Sequence, residues 1–293
     1  MTNKKICTLC PRECGIDRKS EKGFCSVPDD MYVSRIALHQ WEEPPVSGTR
    51  GSGTVFFSGC SLRCVFCQNK KISRSAAGRA YSEDELIDGM LRLQSEGAHN
   101  INLVTPTHYT ERLVHVLQKV RPMLSVPVVW NSGGYEKVET LKMLDGLVDV
   151  YLPDLKYFSA ELSKKYSSAP DYFAVAKEAI REMHRQVGRV RIEDNLIKKG
   201  VIVRHLVLPS CRKDSIRLLE ELAGFLPTDE VRVSIMRQYT PDFVDGEAYP
   251  ELNRRVTSFE YDSVVKKAFE LGFDGYTQGA EAASASYTPD FEI

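Results

Sequence analysis

Short apolar runs alternate with segments of helical periodicity along most of the chain. In the helical segments apolar residues recur three and four positions apart, as at Leu86, Met90 and Leu93, and Ser82 before this set is a typical N-cap. The β-branched and aromatic runs predict six strands, near residues 53–59, 101–104, 126–130, 147–152, 201–207 and 231–235. Strands that alternate with helices form parallel sheets with the helices outside. The pattern therefore predicts an α/β fold and leaves open sheet and barrel as alternatives.

Composition narrows the class of protein. The 293 residues are 42% hydrophobic and carry a net charge of −1, with both signs interspersed. We expect no membrane span, because no apolar run approaches the roughly 20 residues that one needs, and the N-terminus does not read as a signal peptide. No basic stripe supports nucleic-acid binding. Eight cysteines in such a chain predict a cytoplasmic metalloprotein.

Three cysteines follow the first predicted strand with the spacing C-x3-C-x2-C. They are Cys60, Cys64 and Cys67. Three thiolates fill three corners of a cubane iron–sulfur cluster and leave one iron free to bind a substrate or cofactor. A zinc site wants four ligands, and no His or Cys stands in the next thirty residues. The spacing therefore favours a 4Fe–4S cluster with an open iron.

A second group of cysteines lies near the N-terminus, at Cys7, Cys10, Cys14 and Cys25. A segment this short buries no core of its own, so we expect a metal to organise it. Structural zinc and an auxiliary, fully ligated 4Fe–4S cluster remain alternatives, with unligated thiols as the third. The remaining cysteine, Cys211, stands alone and is predicted to be a buried thiol.

The cysteine loop, with Phe66 inside its last gap, resembles the radical S-adenosylmethionine (radical SAM) superfamily. The likeness to its pyruvate formate-lyase activating-enzyme-like subgroup extends over nearly the whole chain, through residues 7–25, 39–45, 105–108, 153–156 and 204–209. The resemblance implies a partial (βα)6 barrel with the cluster and the cofactor at its C-terminal rim. We expect residues 1–50 to form a Cys-rich metal-binding segment and linker, and residues 51–293 to form the barrel.

The resemblance also assigns cofactor contacts to residues that follow the predicted strands. Lys156 is expected to meet the carboxylate of S-adenosylmethionine, and Asp154 to help hold a cation. The full set of expected cofactor contacts is Phe66, Thr105, Thr107, Asn131, Ser132, Asp154, Lys156 and Gln238. In this set the Thr hydroxyls replace a family contact that the chain lacks, and Gln238, with Tyr239 as its alternative, replaces another. The chain departs from the family pattern in two places, because it has no Gly-Gly-Glu after the second strand and no histidine after the sixth.

Three further positions have open roles. His108 is expected to act as an acid–base group or substrate contact, or to face solvent at a helix start. One of Arg204 and His205 must face the interior of the barrel, since they are adjacent in a strand. Glu42 and Glu43 lie in a segment that reads most simply as a linker; one of them could reach the site, but a solvated face is the favoured interpretation.

The chemistry implied by the resemblance is reductive cleavage of S-adenosylmethionine to a 5′-deoxyadenosyl radical, which abstracts a hydrogen atom from a substrate. An electron donor such as flavodoxin or ferredoxin is an expected partner. The first substrate hypothesis is a glycine in a glycyl-radical enzyme, and the second is a small molecule or peptide. A non-catalytic iron–sulfur or zinc protein is the alternative from another class.

Overall fold

The computed structural model describes residues 6–283 and 291. The ten strands in these residues are β1 Met31–His39, β2 Ser52–Phe57, β3 Arg79–Tyr81, β4 Ile101–Val104, β5 Val128–Ser132, β6 Val150–Pro153, β7 Arg191–Glu193, β8 Leu196–Leu206, β9 Arg232–Met236 and β10 Asp274–Thr277. The nine α-helices in the same residues are α1 Pro44–Ser47, α2 Lys70–Ser73, α3 Glu83–Ser95, α4 Thr110–Val120, α5 Val138–Lys142, α6 Ala160–Ser167, α7 Tyr172–Val187, α8 Arg212–Phe225 and α9 Ser258–Glu270.

The strands form one mostly parallel sheet. Its order is β10-β9-β8-β6-β5-β4-β2-β1-β3, and every neighbouring pair from β2 to β10 is parallel. At the other edge β1 pairs antiparallel with both β2 and β3, and β7 forms an antiparallel pair with β8. The α/β class with parallel strands is therefore confirmed.

Burial explains why the central strands read clearly in the sequence. All residues of β2, β4, β5 and β6 are buried, as expected of parallel strands covered on both faces. Helix α3 begins where predicted, because the Ser82 side chain accepts a hydrogen bond from the Glu85 N–H and the Glu85 side chain accepts one from the Ser82 N–H. The predicted helix after each of these strands is present.

The structure adds elements that the pattern did not predict. Strand β1 lies inside the segment that we expected to be a linker, and β10 is a mostly exposed edge strand with no apolar run. The long helical region that ends near Val187 is two helices, α6 and α7, because the chain turns at Ser168 with a φ of 53°. Edge strands carry a weaker pattern since only one side is buried.

Helix α1 closes the end of the sheet at which the strands begin. Val46 of α1 packs in a small apolar cluster against residues on the sheet face opposite the large helical core: Val129, Val150, Leu152, Ile197 and Ile202. The Asn100 side chain, just before β4, donates a 2.7 Å hydrogen bond to the Val46 carbonyl. Helix α1 therefore covers this face of the sheet at its amino end, and the face is accessible from its carboxyl end.

None of the helices in the described part of the chain is long and apolar enough to cross a membrane.

Candidate functional site

A cavity of about 290 Å³ lies between the carboxyl ends of the parallel strands and the segment that precedes α1. The cysteine loop forms one wall, and polar residues from β5 to β9 form another. The charged and thiol groups that line it are His39, Glu42, Glu43, Cys64, Cys67, Asp154, Lys156 and Arg204. Ligands of open α/β sheets bind at this end of the strands.

The cysteine loop leaves the carboxyl end of β2 through a tight turn. Gly59 has a φ of 86°, and a Cβ there would lie 2.6 Å from the Cys25 carbonyl oxygen. The next residue, Cys60, donates its N–H to that same carbonyl at 3.3 Å. Only glycine permits this approach, so the N-terminal segment packs directly on the loop.

The three thiols of the loop lie close enough to interact. Burial, together with the neighbouring Cys64 and Cys67, raises the pKa of Cys60 to about 12. Burial also raises the pKa of Cys67, which the Ser73 hydroxyl and the Lys156 ammonium oppose. The Ser167 hydroxyl donates a 2.9 Å hydrogen bond to the Cys64 Sγ. Thiolates here need a positive centre, which a metal supplies.

This donor set fits a three-thiolate cluster with an open iron. Within residues 6–283 and 291, no three His, Cys, Asp or Glu side chains converge on a point that suits a single metal ion. A cubane cluster binds each cysteine at a separate iron, so its ligands need not converge. Cys60, Cys64 and Cys67 would hold such a cluster, with Cys64 and Cys67 on the cavity side.

A buried ionic network stands across the cavity, centred on Arg204 of β8. Its Nε donates to the Asp154 Oδ1 at 3.0 Å, its Nη1 to the Glu42 Oε2 at 3.2 Å and its Nη2 to the Asn131 Oδ1 at 2.6 Å. The Lys156 Nζ donates to the other Asp154 oxygen at 2.5 Å. Each nitrogen of Arg204 is therefore engaged with a different side chain.

The network holds its central pair ionised. Burial alone would raise the pKa of Asp154, but Lys156 and Arg204 outweigh it and the net shift is downward. Burial likewise would lower the pKa of Lys156, and the Asp154 carboxylate reverses this to a net rise. A buried charge without such partners would be costly.

The expected cofactor contacts divide into two groups. Phe66, Asn131, Asp154, Lys156 and Gln238 line the cavity. Gln238 also connects two walls, since its backbone carbonyl accepts from the Gln68 side chain at 3.1 Å and its Oε1 from the Gln278 side chain at 3.1 Å. These residues lie within reach of a ligand on the cysteine loop.

The other three expected contacts do not line this cavity. Thr107 and Ser132 both donate hydrogen bonds to the buried carboxylate of Glu136, which also accepts one from Trp130 at 2.9 Å. Thr105 has a left-handed backbone with a φ of 59°, and its N–H donates to the Asn131 carbonyl. Their predicted role as cofactor contacts stays a prediction.

Of the residues with open roles, His108, His205 and Cys211 are buried and Arg204 is partly buried. His108 lies in the core, where its Nε2 is 2.7 Å from the Ser58 carbonyl and burial lowers its pKa to about 3, so the expectation of a solvent-facing residue is wrong. Arg204 is the member of its pair that faces the cavity, while the His205 Nδ1 lies 2.7 Å from the Leu155 carbonyl. The prediction that Cys211 is a buried thiol is confirmed.

The expectation that Glu42 and Glu43 are solvated is also wrong. Glu43 is buried, Glu42 is partly buried, and both line the cavity, although the adjacent Trp41 is 61% exposed. The cause is tertiary packing. Val46 of α1 packs against one face of the sheet, and this contact places the two residues before α1 in the cavity wall. A Glu-Glu-Pro-Pro sequence carries no local signal of such a position.

Comparison with known proteins gives the family. The model of the radical SAM superfamily matches residues 54–209, which is more than half of the chain. The chain belongs to the radical SAM superfamily. It is thus a radical SAM enzyme by family, and a 4Fe–4S cluster and S-adenosylmethionine are the cofactors of that family.

Individual relatives agree with this assignment. The uncharacterized protein MJ0674 of Methanocaldococcus jannaschii is 31% identical over 281 residues, which cover 92% of this chain and 76% of the relative. A spore photoproduct lyase mutant shares the fold with a TM-score of 0.53 and 12% identity, over 76% of this chain and 74% of that one. Methylornithine synthase (PylB) does so with a TM-score of 0.51 and 16% identity, over 80% and 72%. At these identities the solved structures show the fold alone.

Proposed function

We propose that this protein binds a 4Fe–4S cluster through Cys60, Cys64 and Cys67 and uses it with S-adenosylmethionine to abstract a hydrogen atom from a substrate. When bound, the cluster and its cofactor supply one-electron reductive cleavage, with the electron delivered by a donor such as flavodoxin or ferredoxin. The observation that carries the proposal is the position of the three thiols at the carboxyl end of β2, beside an ionic cavity.

The residues of the chain have separate tasks in this proposal. Lys156 presents an ammonium group near Cys64 and Cys67, where it suits the carboxylate of the cofactor. Asp154 and Arg204 hold that ammonium in place through the buried network. Phe66 packs 6.4 Å from Tyr157 and 6.2 Å from Tyr239 between ring centroids, and so keeps water from one side of the loop.

The N-terminal cysteines form a second proposed metal site. Cys10 and Cys25 are buried, and the thiols of Cys7, Cys14 and Cys25 each raise the pKa of Cys10, to about 12 together with burial. The four thiols therefore share one region, and the carbonyl of Cys25 contacts the cluster loop. Zinc, an auxiliary 4Fe–4S cluster and unligated thiols remain the alternatives. Because no three side chains of the described residues converge on a point that suits a single ion, an auxiliary cluster fits these thiols better than zinc does. Contact with the loop supports a role for this segment, residues 1–50, at the radical site of residues 51–293.

Two substrate classes remain for this enzyme. Likeness to the pyruvate formate-lyase activating-enzyme-like subgroup supports activation of a glycyl-radical protein. The cavity favours the alternative, a small molecule or peptide, because a glycine backbone carries no charge to match Glu43, whose Oε2 has no partner among the described residues. A glycyl-radical partner would acquire a protein radical, seen by electron paramagnetic resonance, when mixed with the reduced enzyme; a small substrate would not.

The test of the proposal is spectroscopic. In anaerobically reconstituted, reduced protein, addition of S-adenosylmethionine should change the electron paramagnetic resonance spectrum of the cluster, because the cofactor would bind the open iron. The variant Lys156→Met should require a higher cofactor concentration for the same change. A reduced cluster whose spectrum is insensitive to saturating S-adenosylmethionine would overturn the proposal.

A further inference from the structure

The carboxylate of Glu43 is a buried group whose hydrogen bonding is incomplete. The residue is 8% exposed, and its Oε2 has no hydrogen-bond partner among residues 6–283 and 291. Burial raises the pKa of Glu43, a direction that Arg204 only partly opposes. Buried carboxylate oxygens are nearly always paired, and an exception calls for an explanation.

The neighbouring cation does not supply the missing bond. Arg204 attracts Glu43 electrostatically, but its donors go to Asp154, Glu42 and Asn131. Glu42, next in the chain, has both oxygens engaged, since Oε1 accepts from Asn102 at 3.0 Å and Oε2 from Arg204. Glu43 is therefore the carboxylate to which Arg204 donates no hydrogen bond.

Acidic groups also outnumber basic groups in the lining of the cavity. Three carboxylates, from Glu42, Glu43 and Asp154, face two cations, Arg204 and Lys156. The pKa of the one other titratable base in the lining, His39, is lowered to about 4 by burial and by Arg35, so it is neutral near pH 7. The lining thus holds one more carboxyl group than it has cationic groups, and a cationic ligand would favour the ionised form of Glu43, whose pKa burial raises.

We propose that Glu43 is a substrate-binding residue that accepts hydrogen bonds from a cationic nitrogen group, an ammonium or guanidinium, of the substrate. This inference rests on the proposed function, because it identifies the substrate class of the same cavity. The substrate is then a primary amine, an amino-acid side chain or a similar cation, with its charged end toward Glu43.

The position of Glu43 distinguishes substrate from cofactor. The cysteine loop lies at the carboxyl end of the sheet, and S-adenosylmethionine binds beside it. Glu43 directly precedes α1, which closes the opposite end, and Ser234 of β9 lies close enough to lower its pKa. The carboxylate therefore lies on the side of the cavity away from the cluster loop. A substrate placed opposite the cofactor would contact it there.

The experiment measures binding of simple cations to the full-length, reconstituted protein. Butylammonium and its neutral counterpart 1-butanol are titrated by calorimetry into the wild type, Glu43→Gln, Glu43→Asp and Glu136→Gln. Glu136→Gln is the matched control, because this second buried glutamate bonds only within the chain and does not line the cavity. The dissociation constant for S-adenosylmethionine is measured on the same samples.

We expect the wild type to bind butylammonium at least tenfold more tightly than 1-butanol, and Glu43→Gln to lose that preference. Glu43→Asp should retain part of it, and Glu136→Gln all of it. Equal binding of both probes to the wild type, or a preference that survives in Glu43→Gln, overturns the inference. A tenfold weaker affinity of Glu43→Gln for S-adenosylmethionine overturns it too, because the carboxylate would then serve the cofactor. Failure of the proposed function is separate, since it appears as absent cofactor cleavage in the wild type.

Discussion

Two buried glutamates, Glu136 and Glu43, lie near the same sheet and differ in what surrounds them. Glu136 is 2% exposed and accepts hydrogen bonds from Trp130, Thr107 and Ser132, with no cation among them. Glu43 is similarly buried, yet one of its oxygens has no partner in the described residues. Burial raises the pKa of both carboxyls.

The difference separates a structural carboxylate from a binding one. The donors of Glu136 come from β5 and from the turn after β4, so its bonds join neighbouring strands into one unit. Glu43 joins nothing through its free oxygen, and it lines the cavity. A cost of burial that no internal bond offsets is retained most simply where a ligand supplies the bond.

The largest effect on stability should come from disrupting the ionic network centred on Arg204. Arg204→Met leaves Glu42 and Asp154 buried without their shared cation, and removing one partner of a buried ion pair costs about 3–5 kcal/mol. Urea unfolding of the purified protein measures this loss. Arg189→Met, which breaks the exposed pair with Asp229, is the control and should leave the midpoint unchanged.

A smaller loss of stability should follow Glu136→Gln. The amide presents one oxygen and one NH₂ group to three donors, so at least one buried donor loses its acceptor, at a cost of about 1–3 kcal/mol. The free energy of unfolding, again from urea denaturation, checks this value. A variant as stable as the wild type would contradict the structural role of Glu136.

The same variant should change how stability depends on pH. Burial raises the pKa of Glu136 above the 4.5 of an ordinary glutamate, so the folded state binds its proton more tightly than the unfolded state does. The stability that this protonation contributes is full below pH 4.5 and is lost as pH rises through the folded pKa. Above pH 4.5 the stability of Glu136→Gln should therefore fall less with rising pH than that of the wild type. A steeper fall in the variant would show that the pKa is lowered instead.

The smallest effect on stability is expected for Glu43→Gln. Glu43 Oε2 makes no hydrogen bond within the described residues, and burial raises the pKa of this carboxyl, so Glu43→Gln loses no bond of that oxygen and gives up only the attraction to Arg204. Stability should stay within about 1 kcal/mol of the wild type or increase slightly. Destabilisation as large as that of Glu136→Gln would remove the contrast between the two residues.

Sequence alone predicted the parts of the molecule that local physics determines. The apolar runs at β4 and β6 and the N-cap at Ser82 were readable because central parallel strands and capping boxes leave patterns in adjacent residues. The spacing of the cysteine loop indicated a cluster for the same reason.

Long-range packing accounts for what the sequence did not predict. The burial of Glu43 depends on the packing of α1 against the sheet, and the hydrogen bonds of Thr107 and Ser132 to Glu136 depend on the pairing of neighbouring strands. No spacing along the chain records such contacts. Edge strand β10, whose residues are mostly exposed, shows the same limit.

The most direct test of the account is cofactor cleavage by the reconstituted, reduced protein, compared between the wild type, Cys64→Ala and Cys14→Ala. The account predicts roughly four irons at the loop, with formation of 5′-deoxyadenosine in the wild type and none in Cys64→Ala. Cys14→Ala should lose only the metal of the N-terminal site, either one zinc or about four further irons. Absence of cleavage by a wild-type protein with an intact loop cluster, or cleavage that persists in Cys64→Ala, would contradict the account.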